Sequence, residues 1–274
     1  MTTSFRLAGL ALAAFVAAAI SGCGAPGAGL TPAQAASLQQ VADLQAIQTV
    51  MSRHAWYYSA GQHQRELDEL FATDLPDVSF GTNAGYWVGY ASIKRSYVDW
   101  FFKQAHKDLT GLHKAHPEIA DTPDNLLAGT LMMHTLTTPL VVVADDGQTA
   151  KGLFYSPGQV TQTPFGRPDA NYMWERYAID FVKRNGQWRI WHFNVFTDFS
   201  VAPNGDWTKP DSSPKLVLQP GEVPPWLDPE APVFDIPVKT YDSYGIAVVR
   251  GEKPKFPVPY RTFSETFSYG PPQR

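Results

Sequence analysis

The dipeptide Asn185-Gly186 stands between two runs that are rich in aromatic and β-branched residues, residues 172–184 and 187–197. Both residues of a two-residue hairpin turn must accept a positive φ angle, and Asn followed by Gly does so more readily than most pairs. The pattern therefore predicts a long β-hairpin. A turn of two residues also fixes which residues of the two strands lie opposite each other.

The register that follows from this turn places four pairs on one face of the hairpin: Phe181 with Ile190, Ile179 with His192, Tyr177 with Asn194, and Glu175 with Phe196. Side chains alternate between the two faces of a strand, so Arg176 is expected on the opposite face. The first face is apolar next to the turn and polar further along, which predicts that its far end lines a pocket. The alternative is a closed core in which Tyr177, His192 and Asn194 satisfy one another by hydrogen bonding.

The composition is that of a globular chain with many aromatic residues. The 274 residues, among them 8 Trp, 12 Tyr and 16 Phe, suffice for one large domain or for one domain with an appendage. The formal net charge of -4 gives no basic surface of the kind that binds nucleic acid, so a nucleic-acid partner is not expected.

The first residues have the pattern of an export signal. Arg6 supplies a positive charge, residues 7–20 form an apolar run too short to favour a membrane-spanning helix, and residues 20–23 (Ile-Ser-Gly-Cys) resemble a bacterial lipobox. We therefore expect lipidation of Cys23 and a periplasmic protein that is anchored to a bacterial membrane, most simply the outer membrane. An ordinary signal peptide or a buried thiol is the alternative. Because Cys23 is the only cysteine, no disulfide can form within the chain.

Composition divides the chain into a signal (1–23), a flexible tether of small residues (24–37), a folded domain (38–200) and a Pro-rich arm (201–274). Fourteen of the 23 prolines fall in the arm, which excludes long helices and central strands there. The arm also carries too many aromatic residues for a disordered tail. It is expected to extend over the domain or over a partner subunit.

Within the domain, helical and strand patterns follow one another in blocks. Hydrophobic spacing predicts helices over residues 38–60, 64–71 and 91–103, strand and turn over 78–88, and strands over 129–143, 149–163 and the hairpin. On the first helix, apolar and polar residues that share one face include His54 and Tyr58. Helices that precede an antiparallel sheet predict an α+β fold.

Several segments carry a family resemblance when they are taken together in this order. They are Leu-Phe-Ala-Thr-Asp at 70–74, Gly-Tyr-Trp-Val-Gly at 85–89, His-Thr-Leu-Thr-Thr-Pro at 134–139, Asp-Gly-Gln-Thr-Ala-Lys-Gly at 146–152, and the hairpin segments at 177–183 and 186–192. Over residues 40–200 the chain resembles the SnoaL-like branch of the nuclear-transport-factor-2-like superfamily. The resemblance implies a cone, in which a curved antiparallel sheet wraps around the first helix and encloses a pocket. Members of the superfamily include dehydratases, isomerases and purely binding proteins, so fold alone does not fix function.

The resemblance also implies site residues, through scytalone dehydratase, an acid/base enzyme of this superfamily. Its pocket Tyr matches Tyr58, its catalytic His matches His134, and its pocket Ser and Asn match Glu175 and Tyr177. Its Asp at the end of the first helix is replaced by Ser59. A carboxylate is therefore expected from Glu175 across the cavity instead.

Candidate roles follow for each group. His134 is the expected general acid or base, Tyr58 and His54 polarise an oxygen of the substrate, and Glu175 is a second proton carrier whose pKa burial would raise. The predicted substrate-binding residues are Tyr177, His192 and Asn194, with Trp87 and Tyr155 as aromatic walls. The alternatives are that His54 and His134 are hydrogen-bonded core residues and that Glu175 reaches water at a strand end.

Three histidines in a segment with loop-like composition raise the question of a metal site. His113 and His116 are three residues apart, as zinc ligands on a helix can be, and His106 precedes them. Pro117 disfavours helical geometry at His116. We therefore expect a polar loop over the mouth of the cone, and neither a metal nor a cofactor.

These observations predict a cofactor-free lyase that uses acid/base catalysis to eliminate water or formaldehyde from a small aromatic, lignin-derived compound; isomerase activity is the less favoured enzymatic reaction. Two other classes of function stay open at this point. A non-catalytic binding lipoprotein needs only the pocket, and an oligomeric assembly protein uses the outer face of the sheet and the arm. A homo-oligomer, such as a dimer, is expected in each case.

Overall fold

The α-helices of the described residues lie between residues 32 and 115, together with two short strands, and the longer strands follow. The computed structural model describes residues 29–209, 219–222 and 228–272, so the predicted signal and Cys23 lie outside the described residues. In chain order the helices are α1 (Pro32–Ser59), α2 (His63–Leu70), α3 (Tyr90–Ile93) and α4 (Trp100–Ala115), with a π-helical turn at Lys94–Asp99 between the last two. The strands are β1 (Ser79–Thr82), β2 (Gly85–Val88), β3 (Leu131–His134), β4 (Thr137–Val143), β5 (Thr149–Gln162), β6 (Asp169–Arg184), β7 (Gln187–Val201) and β8 (Ile236–Pro237).

The chain divides into two units, Met1–Val41 and Ala42–Arg274. In the first unit α1 begins at Pro32, earlier than the predicted start at residue 38, so residues 32–37 of the predicted tether are helical. The cause is a capping box. The Thr31 side chain accepts a hydrogen bond from the Gln34 backbone N–H, and the Gln34 side chain accepts one from the Thr31 backbone N–H. Pro32 suits the first helical position, where no backbone donor is needed.

The second unit is built on a curved sheet of eight strands in the order β3-β5-β6-β7-β1-β2-β8, with β4 also paired to β5. All pairings are antiparallel except that between β1 and β7. The inner face packs on α1, and the two share one core that includes Ile47, Met51, Ile179, Phe181 and Phe193. The predicted α+β fold with a curved antiparallel sheet around the first helix is confirmed.

The hairpin β6–β7 forms at the predicted turn, but its register changes after four pairs. Phe181 lies opposite Ile190 as expected, and then Asp180, rather than Ile179, lies opposite His192. The extra residue is Trp191, which forms a β-bulge. Because side chains alternate, this insertion moves residues 192–197 of β7 to the other face. A second shift in the register, between Thr197 and Phe199, restores the predicted alternation for the end of β7.

The helical segment after β2 is longer than predicted. It runs from α3 through the π-helical turn into α4 and ends at Ala115, whereas the sequence pattern predicts a helix over residues 91–103 followed by a loop. The predicted loop around His106 and His113 is therefore wrong, because both residues lie on α4. Helix α4 ends just before His116, where Pro117 would oppose its continuation.

The described part of the Pro-rich arm packs on the sheet of the second unit, to which the arm itself belongs. Strand β8 pairs with β2 at the edge of the sheet. Further along, Tyr241 and Tyr269 are buried in a cluster with Ala178 and Phe196 of β6 and β7. Both of these sheet residues point away from α1, so the arm covers the outer face of the sheet.

Candidate functional site

A cavity of about 260 Å³ lies between α1 and the inner face of the sheet. Its walls are formed by His54, Tyr58, Phe80, Thr82, Tyr97, His134, Met173, Glu175, Tyr177, Phe193, Val195 and Thr197. All four predicted catalytic residues are in this set, and so is Tyr177. Their chemical roles remain predictions, but the fold brings them together around one space.

The first polar group in this cavity is a histidine–carboxylate pair from two strands. His134 is the last residue of β3 and points inward because its neighbours alternate between exposed and buried positions. Its Nδ1 lies 3.1 Å from Oε2 of Glu175 on β6. Thr197 donates a hydrogen bond to the other carboxylate oxygen at 3.2 Å. The Tyr177 hydroxyl lies 3.3 Å from Nδ1 of the same histidine.

The second polar group repeats this arrangement on the helical side. Nδ1 of His54 on α1 lies 2.6 Å from Oε1 of Glu66 on α2, and Tyr97 donates a hydrogen bond to Oε2 of Glu66 at 2.8 Å. Glu66 is fully buried and was not selected from the sequence. The available signal was its position on α2, where it shares the buried side with Leu67 and Leu70.

The second ring nitrogen of His54 and of His134, Nε2, is the atom that can exchange a proton with a ligand. Among the described residues, neither His54 Nε2 nor His134 Nε2 has a hydrogen-bond partner, although both atoms are buried. A neutral imidazole that donates its Nδ1 proton to a carboxylate keeps Nε2 as an acceptor, and a protonated one donates from Nε2. Leaving such a group unpaired costs about 1–3 kcal/mol, which a bound ligand can offset.

Tyr58 lies between the two histidines and contacts both rings. Its ring meets that of His134 edge-on, with a centroid separation of 4.9 Å, and lies 6.2 Å from that of His54. Burial of the hydroxyl, together with the negative charges of Glu175 and Glu66, raises the pKa of Tyr58 well above its usual range. The hydroxyl is therefore neutral at physiological pH and available as a hydrogen-bond donor.

Two predicted binding residues lie on the opposite side of the sheet. His192 and Asn194 were placed in the pocket on the assumption of an unbroken register, and the bulge at Trp191 turns both outward. Nδ1 of His192 lies 2.8 Å from Oδ2 of Asp180, and Asn194 donates a hydrogen bond to the Tyr269 carbonyl of the arm. Their predicted placement in the pocket is wrong.

The two predicted aromatic walls also lie elsewhere. Tyr155 is 37% exposed on the outer face, where it packs against Trp174 and Arg176. Trp87 does not line the cavity. Its indole ring packs between Phe80 and Phe234, and its N–H donates a hydrogen bond to the Val233 carbonyl. Phe80, Phe193 and Tyr97 provide the aromatic surface instead.

The histidines considered for a metal site are separated by their own local contacts. Nδ1 of His106 lies 2.7 Å from the Phe102 carbonyl, Nδ1 of His113 lies 2.8 Å from the Ile119 carbonyl, and His116 is exposed. Within the described ranges, no three His, Cys, Asp or Glu side chains are arranged to hold a metal ion. In the same ranges no helix is both long and apolar enough to cross a membrane.

A larger cavity of about 740 Å³ lies beside α4 and the turn Pro164–Gly166. Its charged groups include Lys107 and Asp228, which form an exposed ion pair. It contains no counterpart of the buried histidine–carboxylate pairs. The smaller cavity is therefore the candidate site, because two buried histidines, each held by a buried carboxylate, converge on it.

Comparisons with known proteins agree on the type of domain. The family model of the SnoaL-like domain matches residues 39–194. No curated protein matches the chain. Similar solved structures include a provisionally assigned scytalone dehydratase from Novosphingobium aromaticivorans (10% identity, 62% of this chain and 94% of the other, TM-score 0.43). Two others are a hexachlorocyclohexane dehydrochlorinase, LinA-type3, from Novosphingobium barchaimii (13%, 62% and 96%, 0.43) and a nuclear transport factor 2-like protein from Salmonella enterica (16%, 57% and 91%, 0.40). Similarity at this level gives no information about the reaction or the ligand of the present chain.

Proposed function

The chain belongs to the SnoaL-like domain family, and from this premise we propose that it is a cofactor-free lyase acting by acid/base catalysis on a small aromatic compound. The observation that carries the proposal is the pairing of two buried histidines, His54 and His134, with two buried carboxylates around one cavity. An elimination needs one group that removes a proton and another that delivers one to the leaving group. The cavity holds a candidate for each.

His134 is the proposed base. Its Nδ1–H donates a hydrogen bond to Glu175, which leaves Nε2 as the acceptor toward the cavity. This nitrogen removes a proton from a substrate carbon, and the electrons of the C–H bond form a double bond as the leaving group departs. For loss of formaldehyde, the same base removes the O–H proton of a hydroxymethyl group and the O–H electrons form the C=O bond of formaldehyde. The electrons of the broken C–C bond then form the double bond as the leaving group departs.

His54 is the proposed acid. When protonated, it donates from Nε2 to the departing oxygen, while Glu66 holds its Nδ1 proton and stabilises the positive charge. Tyr58, which the raised pKa keeps neutral, donates a hydrogen bond to the oxygen that the substrate retains. A hydrogen bond aimed at a developing negative charge lowers the barrier most in a site that excludes water.

The size and walls of the cavity favour an aromatic substrate. An apolar cavity of about 150 Å³ accommodates benzene, so the present volume of about 260 Å³ accommodates one substituted ring. Phe80, Phe193 and Tyr97 offer ring surfaces for edge-on contacts. Lignin-derived phenols, which carry the required hydroxyl groups on a ring, are the substrates to test first.

The proposal predicts a large loss of turnover on substitution of the base. In His134→Ala and in Glu175→Gln, turnover of a substrate found by screening aromatic hydroxy compounds should fall about 100- to 10,000-fold, because each change removes or misorients the proton acceptor. Loss of water or formaldehyde is followed by mass spectrometry, and ligand affinity by calorimetry. His106→Ala, a change of an exposed histidine outside the cavity, is the matched control.

Ligand affinity distinguishes an enzyme from a non-catalytic binding protein. An enzyme loses turnover in His134→Ala while ligand affinity changes only a few-fold. If no variant alters turnover, or if wild-type protein binds aromatic compounds and converts none of them, the chain is a binding protein and the lyase proposal is wrong.

A further inference from the structure

A second space adjoins the candidate site. This space, which we call the outer compartment, has a volume of about 370 Å³ and shares Tyr58 and Tyr97 with the inner cavity. The two tyrosine rings lie 6.4 Å apart. Both rings line each of the two spaces, and Tyr97 belongs to the π-helical turn, a local widening that often occurs at functional sites.

One side of the outer compartment is aromatic. His63 stacks on Phe101 with a centroid separation of 3.9 Å, and Trp100 stands next to Phe101 on α4. The Trp100 side chain is partly exposed, so the compartment reaches the surface there. Flat ring surfaces of this kind suit a second planar group of a ligand.

The other side of the compartment is polar and incompletely satisfied. Gln104 is 8% exposed, and no described residue accepts a hydrogen bond from its Nε2. One turn further along α4, burial raises the pKa of Asp108 to about 6. Neither the Gln104 amide nor the Asp108 carboxyl takes part in the chemistry proposed for the inner cavity. The Asp108 carboxylate already accepts a hydrogen bond from the Thr163 backbone N–H, and both side chains also line the larger cavity beside α4. A ligand hydroxyl can accept from the amide and donate to the carboxylate.

Volume supports the use of both spaces. Sites for drug-sized ligands measure about 300–1,000 Å³, and the inner cavity alone lies below this range. The combined volume of the inner cavity and the outer compartment lies well within this range. The inner cavity accommodates one ring and the compartment a second part of similar size.

We propose that the inner cavity and the outer compartment form one site for an elongated ligand with two parts. An aromatic ring occupies the inner cavity, and a second part that bears a hydroxyl group occupies the compartment, where Gln104 and Asp108 bind the hydroxyl. The inference rests on the proposed function for the use of the inner cavity. It concerns binding alone, so its test does not depend on turnover.

Two probes of different length test the inference by isothermal titration calorimetry. Phenol fits the inner cavity, and 4,4′-dihydroxybiphenyl extends a second hydroxylated ring into the compartment. The wild-type protein should bind the longer probe at least about ten times more tightly, because the second ring buries additional apolar surface and the distal hydroxyl is hydrogen-bonded.

Two variants separate the parts of the site. Gln104→Leu removes the amide and should weaken the longer probe roughly three- to tenfold, without changing phenol binding. Ser96→Phe places a ring in the compartment and should abolish the preference for the longer probe. Gln48→Leu, a change on the exposed side of α1, is the matched control, and circular dichroism checks that each variant is folded.

Wild-type protein that binds both probes equally, or neither of them, contradicts the two-part site. Variants that weaken the binding of both probes to the same extent also contradict it, since the compartment would then not bind the second ring of the longer probe. Failure of the lyase proposal has a different signature: the difference between the probes and its loss in the variants persist, and no product forms.

Discussion

Three buried histidines near the cavity have different surroundings, and this difference determines what each can do. His54 and His134 each contact a buried carboxylate, which orients one ring nitrogen and leaves the other toward the cavity. His63 instead stacks on Phe101, and burial lowers its pKa to about 4. It is therefore neutral at physiological pH and lines the outer compartment as a flat, weakly polar ring.

The lowered pKa of His63 predicts a dependence of stability on pH. The pKa of His63 is about 6.5 in the unfolded chain and about 4 in the folded protein. The contribution of this neutral histidine to the free energy of unfolding is therefore complete above about pH 6.5 and declines as the pH falls toward 4. At pH 4 the difference between these two pKa values lowers the free energy of unfolding by roughly 3 kcal/mol. Urea unfolding from pH 7 to pH 4 should show a smaller loss in His63→Phe than in the wild type.

The control for this prediction is His106→Ala, because His106 is an exposed histidine on α4. It should follow the wild-type curve. An unchanged slope in His63→Phe would show that other groups cause the acid sensitivity.

At the same scale, sequence reasoning found part of the site and missed part of it. Glu175 was predicted because a polar residue on an inward strand position conflicts with an apolar core, and His134 because the family resemblance matches it to a catalytic histidine. Glu66 was missed because α2 is rich in charged residues, among which one more glutamate is inconspicuous. Only the packing of α2 against α1 shows that Glu66, unlike the other acidic residues of α2, is fully buried.

At the scale of elements, the outer face of the hairpin holds the arm through one carboxylate. Asp180 accepts hydrogen bonds from Lys151 at 2.5 Å, from the Ser268 hydroxyl at 2.9 Å and from the Tyr269 backbone N–H at 2.7 Å, and it also contacts His192. Burial alone would raise the pKa of Asp180, but the hydrogen bonds and charges of His192 and Lys151 outweigh it and lower that pKa.

Removal of this charge is predicted to release the arm. Asp180→Asn leaves Lys151, which is fully buried, without its counter-charge, and breaking a buried pair in this way costs about 3–5 kcal/mol. Hydrogen exchange measured by mass spectrometry should show lost protection in residues 260–270, together with a lower free energy of unfolding.

Asp74→Asn provides the matched control on a different surface of the same unit. This carboxylate forms an exposed ion pair with Arg184, a type of contact that contributes about 0–1 kcal/mol. If Asp180→Asn changed exchange in the arm no more than this control does, another contact would have to hold the arm.

At the scale of the whole molecule, the predicted export signal leads to a prediction about location. We propose that the mature chain is tethered to a bacterial membrane through acyl chains on Cys23, because residues 20–23 resemble a lipobox. Cys23→Ser should move the protein from the membrane fraction to the soluble fraction when cells are fractionated, since the acyl chains supply the membrane affinity. Ala28→Ser, a change outside the lipobox, is the control, and wild-type protein in the soluble fraction would indicate an ordinary signal peptide.

The predicted homo-oligomer stays a prediction at this scale. The outer face of β3, β5 and β6 presents several exposed large apolar side chains, namely Leu131, Met133, Tyr155, Tyr172 and Trp174. Light scattering of the protein in solution measures its oligomeric state directly.

The sequence by itself determined the order of helices and strands, the position of the hairpin turn and the inward orientation of Glu175 and Tyr177. These features depend on residues close together in the chain, through turn conformation and the alternation of side chains along a strand. The tertiary structure alone decided that His192 and Asn194 belong to the outer face and that Glu66 completes a second histidine–carboxylate pair. The bulge at Trp191 carries no periodic signal, and the contacts of the residues it turns outward come from an arm about 75 residues further along the chain.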